Sequence, residues 1–321
     1  MAQDALDRRH AAALMAVGLA FGASAARGVE INRQASASRL QEPEYIPPVN
    51  IAAVSDIYRR MTAPIRVNGQ GPFPFVVDTG SNQTVISAEL AARLNLPQGD
   101  LAALNGVAGV QMEPTTFARL DVGPRRRRDA ALSILSQADI GGAGLLGLED
   151  LDGQAVTLDF RAQTLRIDNG RRSLGELGSI ALKAHRRNGQ LTLIDADLAG
   201  MHVTAFLDSG AQNTIGNMAL RALAVARNPA GVWRPTPILS ATGQTIDAEM
   251  ADLPRLRVGN LNVPNWPVAF ADLHTFRMWN LVDRPAILLG VDMLSRFETV
   301  CLDFARDEVR FRLPGGGGGD T

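Results

Sequence analysis

FVVDTGSNQTVIS, residues 75–87, runs as an apolar strand into an aspartate, followed by threonine and glycine. An acid at the end of a buried strand is costly to leave there, because desolvation penalises its charged form, so the placement points to use. The pattern returns 130 positions later. AFLDSGAQNTIG, residues 205–216, lays Asp208 over Asp78, Ser209 over Thr79, Gly210 over Gly80, Thr214 over Thr84 and Ile215 over Val85. Two further matches follow in the same order: GLLGLEDL (144–151) is answered by ILLGVDML (287–294), and QAVTLDFRAQTLRID (154–168) by ETVCLDFARDEVRFR (298–312). A turn has no reason to be copied together with strands far downstream of it, so the chain is read as a duplicated unit.

Each unit reads as short β runs punctuated by Gly, Pro and Asn, and the last pair of matches alternates with period two around a short polar turn, a hairpin signal. Ser87 is placed to cap a helix over AELAARLNL and Asn217 one over MALRALAVA, with a further helical turn at Leu148–Leu151 and at Val291–Phe297. The expected architecture is mainly β: an N-terminal lobe over 51–172 and a C-terminal lobe over 173–313, related by a pseudo-two-fold axis.

At 321 residues and 46% hydrophobic, with 20% charged residues and a net charge of -1, the chain is long enough for one large core or two modest ones. Its arginines are scattered and matched by acids, which gives no nucleic-acid footprint. One run stands out, PRRRRD (124–129); it follows a Val-Gly strand end and is read as a solvated loop. ARNPAGVWRPTP (226–237) is read as a surface loop. Cys301 is the sole cysteine, a packed and inert thiol with Thr157 as its counterpart, and His10, His185, His202 and His274 lie far apart. No disulfide, metal site or cofactor is therefore expected.

Residues 1–25 read as a signal peptide. Arg8 and Arg9 precede an apolar stretch from Ala11 to Phe21 that is shorter than the roughly 20 residues of a spanning helix, and Ala23-Ser24-Ala25 is a small-x-small cleavage pattern. Export is the expectation, with an inner-membrane tether if the signal stays uncleaved; the export route is left open. Residues 26–50 read as a flexible leader or linker and 314–321 as a flexible Gly-rich tail.

With two D-[ST]-G elements, each after an apolar strand and each followed by apolar-apolar-Gly, residues 60 to 313 resemble the aspartic peptidases. Both halves are short and no tyrosine follows Asp78, since Tyr45 and Tyr58 precede it, so the resemblance is to retropepsin-like bacterial periplasmic aspartyl proteases rather than to pepsins. It implies two acid-protease β-barrel lobes with a cleft between them, and a glycine-containing flap hairpin downstream of each acid. LNGVAGVQ (104–111), with Gly106, Val107 and Gly109, is the first candidate; SATGQTID (240–247), with Thr242 and Gly243, is the second, for which a plain surface hairpin is equally open.

The chemistry implied is hydrolysis of a peptide bond by water held between Asp78 and Asp208. Two close carboxylates cannot both ionise, so the pair keeps one proton and offers a base and an acid together. Gly80 and Gly210 would let backbone amides approach the acids, and the hydroxyls of Thr79 and Ser209 could bond across to the opposite half. Ser81 faces Ala211 at the equivalent position, so Asp78 is expected to gain an extra donor and Asp208 to hold the shared proton. A protein or peptide substrate would lie as an extended strand, in mostly apolar pockets, on a monomer. The alternative is a non-catalytic peptide-binding protein of the same fold.

Overall fold

Residues 61–67, MTAPIRV, place every second side chain in a core and the others toward solvent, the period of a half-buried strand. They open the first of two barrels in a computed structural model that describes residues 49–314 apart from 57–58, 82, 150–152, 169–178, 188–189, 199 and 259–260. The expected signal peptide, most of the leader, the lobe boundary at 172–173 and the tail after Pro314 lie outside the described residues. No helix among the described residues is long and apolar enough to cross a membrane.

The N-terminal barrel has six strands: β1 (Met61–Val67), β2 (Gln70–Val77), β3 (Val85–Ser87), β4 (Gly109–Val122), β5 (Arg125–Leu135) and β6 (Gly144–Leu146). Their order is β1-β2-β6-β3-β5-β4, and β4 closes back on β1 with Val122 opposite Ile65. The second barrel repeats this in β7 (Gln190–Leu198), β8 (Met201–Leu207), β9 (Ile215–Gly216), β10 (Glu249–Val258), β11 (Leu261–Phe270) and β12 (Ala286–Leu289). Its order is β7-β8-β12-β9-β11-β10, closed by Val258 opposite Ala196. The strand that carries each acid is paired in parallel with its apolar-apolar-Gly strand, β2 with β6 and β8 with β12. Closure leaves neither barrel with a free edge.

A third sheet joins the lobes, in the order Val49–Ala52, Thr164–Asp168, Ala155–Asp159, Thr299–Asp303, Glu308–Arg312, Ser179–Arg187. At its centre Thr157 pairs with Cys301, the two residues that the duplication makes equivalent, so the pseudo-two-fold axis passes between them. Burial there pushes the Cys301 thiol up to about 11, which keeps it un-ionised and unreactive. Val49 and Asn50, expected at the end of the leader, lie in this sheet instead, because Val49 is buried and paired with Ile167.

The arginine run also departs from expectation. Arg125, Arg126 and Arg127 are in strand β5, opposite Val122, Asp121 and Leu120, because a two-residue turn at Gly123-Pro124 folds them straight back onto β4 and carboxylates are there to receive them. Within 226–237, Arg234–Pro235 adds a short strand to β10, and Trp233 packs its ring against Phe270 at 5.3 Å.

Each barrel carries a capped helix just after the short strand that follows its acid, α1 (Ala88–Arg93) after β3 and α2 (Met218–Arg227) after β9. A turn of helix forms at Val291–Leu294, whereas its expected counterpart at Leu148–Leu151 runs into undescribed residues. The two caps differ in reach. Ser87 accepts from Leu90 N and does nothing further for the helix. Buried Asn217 accepts from Leu220 N (2.8 Å) and Ala286 N (3.1 Å), and donates to the carbonyls of Leu281 (2.6 Å) and Arg284 (2.7 Å), tying α2 to the strand beneath the dyad. Asn217→Ala strands the buried amide of Ala286 and takes a donor from two carbonyls, and should lower unfolding stability by about 3 kcal/mol or more, against about 1 kcal/mol for Ser87→Ala. Denaturant midpoints of the two variants measure the difference, and equal losses would refute the tie.

Candidate active site

Both acids sit where an apolar strand ends. Asp78 N donates to Leu146 O and Asp208 N to Leu289 O, each at 3.0 Å, so the apolar-apolar-Gly strand of each lobe fixes the height of its acid. One residue on, the lobes bind each other. Thr79 Oγ1 donates to Leu207 O (3.2 Å) and accepts from Ser209 N (2.9 Å); Ser209 Oγ donates to Val77 O (2.6 Å) and accepts from Thr79 N (3.1 Å). Both hydroxyls are wholly buried. Four reciprocal bonds in a dry setting hold the two strand ends at one spacing.

Gly80 and Gly210 are required for a reason beyond backbone freedom. A Cβ on Gly80 would fall 2.5 Å from the carboxyl carbon of Asp208, and one on Gly210 would fall 2.5 Å from that of Asp78. Each glycine is thus the floor on which the opposite acid rests, and any side chain there would push the pair apart.

The carboxyls are hydrogen-bonded to each other. Gly80 N donates to Asp78 (2.9 Å), whereas Gly210 N (2.9 Å) and Ala211 N (3.0 Å) both donate to Asp208. Burial pushes both acids up, and the neighbouring charge of Asp208 adds to it, so Asp78 stands well above the usual carboxylate range. Asp208 is raised by burial too, but the amides of Ala211 and Gly210 and the bond from Asp78 hold it down. The shared proton therefore rests on Asp78, the reverse of the expectation from sequence. Ser81 does not support the dyad through its side chain: its hydroxyl donates to Gln83 O (2.7 Å) within the turn, and the asymmetry is carried instead by the backbone amide of Ala211.

Several supporting groups escaped the sequence reading. Thr84 Oγ1 accepts from Gly147 N and Thr214 Oγ1 from Gly290 N, both at 3.2 Å, and the acids that follow those glycines close the loop: Glu149 Oε1 accepts from Thr84 N (2.8 Å) and Asp292 Oδ2 from Thr214 N (3.1 Å). The aligned repeats already contained this signal, Thr on Thr and Glu on Asp. Arg60 carried no such signal. Buried, and held by Asp56 (Nε to Oδ2, 2.8 Å) and by Ile140 O (3.0 Å), it faces the cleft and draws both acids down.

Two hairpins lie over the acids. Leu101–Gly106 pairs with the start of β4, Gly106 opposite Gly109, leaving Val107-Ala108 at the tip. Gly109, at φ 144, makes that turn without strain, and Val107 O accepts from His274 N of the other lobe at 2.7 Å. The second hairpin pairs Ile238–Leu239 with Thr245–Ile246. Its tip holds a Ser240–Thr242 hydroxyl contact at 2.7 Å and Gly243 at φ 77. Gly106 and Thr242 meet, so the hairpins touch across the cleft.

Beneath them two pockets flank the dyad, and Asp78, Asp208 and Val107 line both. One, about 250 Å³, is walled by Val85, Leu104, Leu135, Phe206 and Trp279. The other, about 390 Å³, has Arg60, Asp139, Gln212 and Asn213 beside Ile215 and Leu288, so it is more polar than the apolar pockets expected. Of the aromatics near this region, Trp279 reaches the cleft, while Phe270 and Phe276 are core.

Comparison with protein families matches residues 63–152 to a model described as "gag-polyprotein putative aspartyl protease" and residues 194–293 to one described as "Aspartyl protease". Each match contains one of the two acids. Comparison with curated proteins finds no match.

An acid raised in the fold binds a proton that the unfolded chain has released, so its contribution is full below the unfolded value of 3.8 and is lost as pH rises through the folded value. Asp78→Asn, neutral throughout, should be more stable than wild type at pH 7, and the gap should close below pH 3.8; Asp208→Asn should gain less. Urea midpoints across that range test it, and parallel wild-type and Asp78→Asn curves would remove the proton from Asp78.

Proposed function

The chain belongs to the aspartic peptidases, with two retropepsin-like aspartyl protease domains in tandem, and from that premise we propose that it is an endopeptidase acting on protein substrates through Asp78 and Asp208. The observation that carries this reading is the pair of half-buried, mutually bonded carboxyls, one more acidic than the other, each backed by a glycine of the opposite lobe. A water between them would lose a proton to ionised Asp208 as its oxygen attacks the peptide carbonyl, while Asp78 gives its proton to the carbonyl oxygen. On collapse of the tetrahedral diol, Asp208 returns its proton to the departing nitrogen and Asp78 takes one from a hydroxyl, which restores the starting state.

The substrate would lie extended beneath the Val107 tip and the 240–242 turn, with side chains in the two flanking pockets. Both acids come from one chain, which supports activity as a monomer. Export is part of the same proposal, supported by the charged, apolar and small-residue succession within residues 1–25.

Incubated with a peptide library, the wild-type chain should cleave, and Asp78→Asn and Asp208→Asn should each lose about 10²- to 10⁴-fold, since each removes a group that must give or take a proton. Binding without cleavage by wild type would favour the peptide-holding alternative. Specific activity should stay constant on dilution; a steep fall would mean that the site is assembled between chains.

A further inference from the structure

A third pocket, about 470 Å³, lies outside the cleft, between the N-terminal barrel and the sheet that joins the lobes. Its size is that of a small-molecule site. Its walls are almost wholly apolar, and its mouth is formed by the arginine run, Arg125 to Arg127.

The duplication supplies an internal control. At the equivalent place in the C-terminal lobe lie Leu207, Val258, Leu289, Val300 and Val309, as buried as their N-terminal counterparts Val77, Val156 and Leu165, and the difference lies in what occupies the space between them. Two phenylalanines fill it: Phe311, which corresponds to Ile167, packs at 4.5 Å against Phe297, which corresponds to Gly153. The strand registers place Arg125 where the other lobe has Leu261, and Arg127 where it has buried Val263. The N-terminal lobe has thus exchanged two rings for a void and apolar positions for guanidinium groups. Both exchanges are unfavourable to an empty protein, since unfilled core volume forfeits contacts and half-buried cations lose water.

The charges at the mouth are unevenly matched. Arg126 pairs with Asp121 (2.9 Å), and Arg127 with Glu149 Oε1 (2.5 Å), whose other oxygen is buried without a hydrogen-bond partner among the described residues. Arg125 bonds Gln154 through Nη1 and feels the charge of Asp168, but its Nε and Nη2 are buried without a hydrogen-bond partner among the described residues. Two donor nitrogens in that state call for an acceptor, and a carboxylate meets a guanidinium fork with two oxygens.

We propose that this pocket binds a single-chain aliphatic carboxylate, a medium-chain fatty acid, with its chain against Val77, Leu120, Leu146, Val156, Leu165 and Ile167 and its carboxylate on Arg125. Val77 links the pocket to the cleft, since its side chain lines one and its carbonyl accepts from Ser209 Oγ under the other. Binding is independent of whether the dyad hydrolyses peptides, and it is read without any cleavage assay.

The test is calorimetric titration of the full chain with decanoate, decanol and decyltrimethylammonium below their micelle concentrations. Decanoate should bind saturably, raise the melting temperature, and exceed the other two by about tenfold or more, the contribution of a charge-assisted pair. Arg125→Gln should abolish the preference for decanoate over decanol. Ile167→Phe, which copies the residue of the filled lobe, should weaken all binding while the protein stays folded. Absence of saturable decanoate binding, equal affinity for the three head groups, or unchanged binding in folded Ile167→Phe would each overturn the proposal. Should Arg125→Gln not fold, the head-group series on wild type and Ile167→Phe decide it.

Discussion

The exchange between Thr79 and Ser209 is the constraint on which the rest depends. Two carboxyls side by side repel when both are charged and lose hydration in any state, so the one proton they share does not by itself hold the lobes at a fixed spacing. The energy that does so comes from neighbours: two hydroxyls that each reach across the axis to a carbonyl while accepting an amide in return. Because all four groups are buried, losing one strands another, and the spacing of the acids is set by groups that take no part in the chemistry.

This arrangement was largely legible in the sequence because duplication writes each functional residue twice. Asp78 and Asp208, their hydroxyl neighbours and their glycines could be paired by alignment alone, and so could the strands that support them. What could not be read is what depends on where a short side chain turns. Ser81 has a hydroxyl at the position where a donor to Asp78 was expected, but a carbonyl two residues on in the same turn lies closer to hand. Ala211 has no side-chain donor, yet its amide points at Asp208. A backbone N–H leaves no trace in the residue type, so the direction of the dyad's asymmetry was hidden.

The arginine run was misread for a related reason. Four like charges in succession suggest a solvated loop, because along the chain they have only each other. In the fold they have partners from other strands: Asp121 across the hairpin and Glu149 after β6. Strand alternation then sends neighbouring arginines to different environments, so a single run becomes separate ion pairs at the rim of a pocket.

Fusion of the two halves also releases them from identity. In a dimer of identical lobes, the pockets on either side of the dyad must be the same and the shared proton has no preferred side. Here Val85 lines one pocket as Ile215, its counterpart, lines the other, so the two are related by the pseudo-axis. Their remaining walls have diverged: His274–Met278 ends at Trp279 in the first, whereas the corresponding helix Gln137–Ile140 offers Asp139 to the second, beside Arg60. In the proposed complex, where an extended peptide lies in the cleft, aromatic walls on one side and charged walls on the other distinguish the peptide's two directions. The proton follows the same polarity, since the acid that keeps it belongs to one lobe and the acid that yields it to the other. One duplication, followed by substitutions around the dyad, is enough to turn a symmetric pair of carboxyls into an unequal one.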